Sequence, residues 1–130
     1  MINTKGSTID RGDTVVQVVI AVPIVLTLLV IAVQSMLFMH SAHIATLAAA
    51  KGASIAASAD GEVVSAIDSA TRTAAELGAQ LIGVPSLTVS DGFVAMRVRV
   101  AVPNVVLFFP SSVERGSEEP LENFVPEDER

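Results

Sequence analysis

The side chains able to do chemistry are few and widely spaced. His40 and His43 stand three apart on a helical pattern, a spacing at which both imidazoles can touch one metal ion. No third ligand is spaced to join them, and histidine at the end of an apolar run also suits an interfacial position, so neither is assigned to a metal. Ser, Asp and Glu occur, but there is no G-x-S-x-G elbow, phosphate loop or H-E-x-x-H motif. The acids Glu114, Glu118, Glu119, Glu122, Glu127, Asp128 and Glu129 are not spaced as an EF-hand. With no cysteine there is no disulfide or thiol chemistry. The residues therefore predict no catalytic group, no metal and no cofactor.

Composition directs attention to surfaces instead. The 130 residues make one small domain at most, 51% are apolar, and only 4% are aromatic, with no Trp or Tyr. Such a chain has little bulky material for an independent core, so part of its apolar surface faces lipid or another protein. A net charge of −6 argues against nucleic acid, because phosphate needs a basic patch.

From Thr14 to Met39 no residue is charged, and Pro23 is the one helix breaker. Those 26 residues make about 39 Å of helix, enough to cross a bilayer core of ~30 Å with some tilt. Lys5 and Arg11 precede the span and Lys51 follows it, which predicts a cytoplasmic N-terminus and an exported remainder. The helical pattern continues through "HSAHIATLAAAKGASIAASA" in small residues. Ala48, Gly52 and Ala56 form one row at spacing four, and Ala45, Ala49, Ala53 and Ala57 another. Rows of this kind let helix backbones approach closely, and they predict a helix–helix contact.

Asp60 can cap a second helix, which Gly83 and Pro85 can end. Between them Val63, Ile67, Ala70, Ala74, Leu77 and Leu81 make one apolar stripe, while Asp68, Arg72 and Glu76 lie four apart in an ion-pairing order. In "SLTVSDGFVAMRVRVAV" the Asp91-Gly92 pair predicts a two-residue hairpin. Pairing Ser90 with Phe93 puts Leu87, Val89, Val94 and Met96 on one face, extended by Val98, Val100 and Val102. That face and the amphipathic helix are expected to pack together. "VVLFFP" then reads as a short edge strand or a partner surface, and the acidic C-terminus as a flexible tail.

Two features bear on processing. Ala57-Ser58-Ala59 and Ala48-Ala49-Ala50 fit signal-peptidase cleavage, but both lie in an Ala-rich helical stretch where the pattern arises by chance. A short leader with Lys5 and Arg11, then Gly12, then an apolar helix, is the layout cut by prepilin peptidases. With "RGDTVVQVVIAVPIVLTLLV" followed by "LAAAKGASIAA", residues 11 to 58 resemble the TadE-like pseudopilins of the tight-adherence (Tad) pilus system. The resemblance implies Gly12 as the residue before the cut and Asp13 as the first mature residue. It also implies that Gln17 stands where pilin-like proteins usually carry Glu to pair with a neighbour's terminal amine. Gln17 accepts a hydrogen bond but cannot neutralise an ammonium, although Asp13 can substitute.

The expected fold is α+β. Residues 1–12 form a cytoplasmic leader and 13–58 a transmembrane helix continuing into an Ala-rich helix. Residues 59–110 form a small extracytoplasmic part with one amphipathic helix on a β-hairpin, and 111–130 an acidic flexible tail. The expected function is non-enzymatic: a minor pseudopilin or assembly component in the bacterial cytoplasmic membrane. Its partners would be a prepilin peptidase, other Tad pilins, the inner-membrane assembly platform and lipid. Gln17, Pro23, Ala48, Gly52 and Ala56 would serve helix assembly. The alternative is an uncleaved, membrane-anchored accessory module, separated from the first by the fate of the Gly12–Asp13 bond.

Overall fold

A computed structural model describes residues 10–58 and 60–122. The architecture is α+β: helix α1 spans Asp10–Ala57, α2 spans Val63–Glu76, and strands β1 (Ser86–Ser90), β2 (Phe93–Ala101) and β3 (Ser112–Pro120) form an antiparallel sheet in the order β1-β2-β3. α1 is one unbroken element of 48 residues, or about 72 Å. Pro23 is accommodated within it. Nearby, the Thr27 hydroxyl donates to the Pro23 carbonyl at 2.7 Å. Ser35 and Thr46 bond back to Ile31 and Ala42 in the same way, so hydroxyls in apolar stretches are satisfied by their own helix.

Cover changes abruptly along α1. Residues 14–33 are exposed all round, and among the described side chains Gln34 is the first that is buried. Beyond it one face is buried against α2, β2 and β3. Ala45, Ala48, Ala49 and Ala53 are fully inaccessible, as are Ala66, Ala70 and Ala74 of α2. The two helices thus meet through alanine, which leaves little side chain between their backbones. Gly52 marks the tightest point: a Cβ there would lie 2.8 Å from Met96 Cε, 3.0 Å from Ala70 Cβ and 3.1 Å from the Ala66 carbonyl oxygen. The inward face of β2 completes the core with Val94, Met96, Val98 and Val100.

The hairpin register agrees with the sequence reading: Ser90 pairs with Phe93, Val89 with Val94 and Leu87 with Met96. Asp91 (φ 51°) and Gly92 (φ 80°) occupy the left-handed turn that matches the twist of two strands. Several expectations are corrected. α2 starts after Glu62, whose side chain makes no capping bond to the backbone, and not from an Asp60 cap. It ends before Gly83, because Gly78 (φ 79°) closes it, with Ala79 N–H on the Ala74 carbonyl at 2.9 Å and Gly78 N–H on Ala75 at 3.0 Å. Of its expected stripe Ala70 and Ala74 are buried and Ile67 and Leu81 partly so, while Ala66, outside that stripe, is also fully buried. Val63 and Leu77 are exposed, and α2 packs mainly on α1 and barely meets the hairpin. Lastly, residues 112–120 are not a flexible tail but the edge strand β3, paired with β2 along its whole length. The leader residues 1–9 and the tail residues 123–130 lie outside the described residues.

Candidate functional site

Sheet and helix run alongside one another with fixed ends. Met96 sits beside Gly52, and Pro103 to Val106 sit beside Gln34. The helix covers about 27 Å between Gly52 and Gln34, and extended chain covers about 26 Å between Met96 and Asn104. At the other end, Leu121 N–H bonds the Gly92 carbonyl at 2.8 Å, and Glu122 N–H caps the Ala57 carbonyl at 3.0 Å. The β2–β3 loop therefore lies where α1 loses its cover, and the hairpin tip lies at the far end.

Gln34 is the joint. Its side chain is fully buried, and every hydrogen-bonding valence of its amide is used. Oε1 accepts from Val105 N–H at 2.8 Å and Val106 N–H at 3.3 Å. Nε2 donates to the Pro103 carbonyl at 3.2 Å and to Asn104 Oδ1 at 3.4 Å. The loop also supports itself: Val102 N–H bonds the Ser111 carbonyl at 2.8 Å, and Phe109 N–H bonds Val106 at 3.2 Å. It is a turn and not the edge strand that "VVLFFP" allowed. It holds Leu107 and Phe108 94% and 97% exposed. Sequence reasoning missed Gln34 because a single polar residue in an apolar helix has no periodic partner.

The residues expected to serve assembly separate into two groups. Gln17 and Pro23 lie on the uncovered half of α1. Ala48, Gly52 and Ala56 are buried inside the chain, against its own α2 and sheet, so they are not open to a neighbouring copy. Past Gln34 the uncovered face of α1 is instead lined by Met36, Met39, His43 and Leu47, three or four residues apart. Gly12 and Asp13 fall inside the first turns of α1, which spans Asp10–Ala57.

His40 and His43 are both exposed, and among the described residues no group of three or more His, Asp or Glu is placed to hold a metal. An open groove runs between α1 (Leu37, His40, Ser41), the end of α2 (Ala75) and the end of β2 (Ala101). Among the described residues two ion pairs lie on the surface: Arg72 with Asp68 one turn apart at 2.5 Å, and Arg99 with Glu114 across β2 and β3 at 3.0 Å. Being exposed, each contributes at most about 1 kcal/mol. One helix in the described chain, α1, is long and apolar enough to cross a membrane. Compared with protein-family models, with curated proteins and with solved structures, the chain matches none.

Proposed function

We propose that this chain is a non-enzymatic, single-pass membrane subunit that assembles through α1, of the TadE-like kind that residues 11 to 58 resemble. The observation that carries the reading is the change of cover along one unbroken helix. Residues 14–33 are apolar apart from Thr14, Gln17 and Thr27, exposed on every side, and about 30 Å long, the thickness of a bilayer core. Residues 34–57 carry the folded part on one face. A bare apolar helix of this length needs lipid or other helices around it, and a subunit that leaves the membrane to join a helical bundle needs both in turn. The assembly surface would be residues 14–33 together with the Met36–Leu47 face. On this reading the N-terminus faces the bacterial cytoplasm, and the partners are a prepilin peptidase, Tad-type pilins and their assembly platform.

Two observations favour the second reading, an uncleaved anchored accessory module. Gln17 replaces the carboxylate that would pair with a terminal amine, and the helical turn around Gly12–Asp13 must unwind before a protease can cut it. The experiment is the mature N-terminus of the protein from its native membranes, by intact mass and terminal-peptide mass spectrometry, beside a Gly12→Ala variant. A chain starting at Asp13, with the variant uncut, is the expected result. Retention of residues 1–12 would replace the subunit reading with the anchored module. A start at Lys51 or Asp60 would end both.

A further inference from the structure

The apolar loop beside Gln34 has a level in the molecule as well as a composition. Gln34 is the first residue after the bare segment 14–33, so a loop bonded to its amide stands where α1 leaves the bilayer. The parts of the fold at that level are free of formal charge. No Asp, Glu, Lys or Arg occurs in residues 14–50, 77–85 or 100–113. The second of these segments joins the same end, through the Leu81–Val100 bridge, Ile82 N–H on the Arg99 carbonyl and Ala101 N–H on Gln80. The charges stand away from the loop: the nearest ion pair among the described residues, Arg99–Glu114, lies about 16 Å along β2 from Asn104. Asp91 sits at the hairpin tip, and Asp60, Glu62 and Glu122 cluster about the far end of α1.

From this arrangement we infer that residues 105–109 form a second membrane contact, with Leu107 and Phe108 inserted into the lipid at the interface that α1 crosses at Gln34. The inference rests on the reading of α1 as a span. Exposed apolar side chains on a loop that its own hydrogen bonds hold in shape lose little freedom on entering lipid, and Phe and Leu are side chains that interfacial elements bury. The loop's surface is continuous with the lipid-facing surface of α1, and no charge at that level has to be dehydrated. A helix alone is free to rotate and tilt. A second contact fixed to it by Gln34 sets the depth and the rotation of the folded part above the membrane.

The absence of cysteine makes the test direct. Full-length Leu107→Cys, Val25→Cys and Asp91→Cys are each labelled with an environment-sensitive fluorophore and reconstituted at high lipid-to-protein ratio in phosphatidylcholine vesicles. Quenching is read with aqueous iodide and with lipids carrying a nitroxide at shallow or deep acyl positions. All three sites are exposed, so the labels leave the core intact. The expected result is iodide quenching at 107 several-fold weaker than at 91, with strong quenching by the shallow nitroxide, and deep quenching at 25. Iodide quenching at 107 equal to that at 91, with 25 still in lipid, overturns the inference and leaves the span standing. A label at 107 shielded from both quenchers also overturns it, by showing a protein neighbour there. A label at 25 open to iodide removes the span, and the inference with it.

Discussion

Gln34 concentrates four hydrogen bonds in one buried amide, so its replacement has a sharper consequence than that of any apolar neighbour. In Gln34→Leu the volume is nearly kept, but the N–H groups of Val105 and Val106 lose their acceptor. Leaving these part-buried donors without their acceptor is expected to lower stability by about 1 kcal/mol, read as a fall in thermal midpoint by circular dichroism in detergent. Proteolysis should then cut within 103–110 first, because the loop's tie to α1 is gone. Gly52 is the second sensitive residue. The helix-propensity gain from glycine to valine is only about 0.4 kcal/mol, and Gly52→Val drives a branched side chain into Ala70 and the Ala66 carbonyl. Overpacking at that crossing is expected to cost about 1–3 kcal/mol or more, measured in the same way.

At the scale of elements, the hairpin needs left-handed backbone at both residues of its turn. Gly92 sits at φ 80°, and Gly92→Ala should cost about 1–2 kcal/mol through the left-handed conformation, with no cavity and no lost contact to confuse the reading. β3 is the opposite case. Its inward positions are Val113, Arg115, Ser117 and Glu119, only the first of them apolar, so no alternation marks it as a strand. It forms because β2 offers it a full ladder of backbone partners and α1 lies against it. Its charges also protect the sheet edge from pairing with another chain. α2 keeps the middle of its expected stripe, Ala70 and Ala74, and loses the ends. Val63 and Leu77 share the stripe's spacing but lie exposed, because the positions where the two helix backbones come closest are filled by alanine.

For the whole molecule, the division at Gln34 makes a prediction about solubility. Among the described residues, every buried apolar residue of the core lies between Ala42 and Val113. A chain beginning at Gln34 is therefore expected to be soluble without detergent and to unfold cooperatively, by circular dichroism on a monomeric gel-filtration peak. The full chain should need detergent or lipid. Aggregation of the shortened chain as an unfolded species would mean that residues 14–33 contribute to folding as well as to anchoring.

The sequence was enough for whatever depends on neighbours along the chain. A charge-free apolar run, four-residue rows of small side chains, and an Asp-Gly pair between alternating valines each carry their own periodicity. They led to the long helix, to close helix–helix contact and to the exact pairing of Ser90 with Phe93. Three matters waited for the fold, because each joins segments distant in sequence. One is the partner of the small-residue rows, which is the chain's own α2. Another is β3, whose register comes from β2 and not from its own pattern. The last is Gln34, separated by about seventy residues from the loop it holds. A single amide in an apolar helix reads as a tolerated polar residue until tertiary structure brings four backbone and side-chain partners to it.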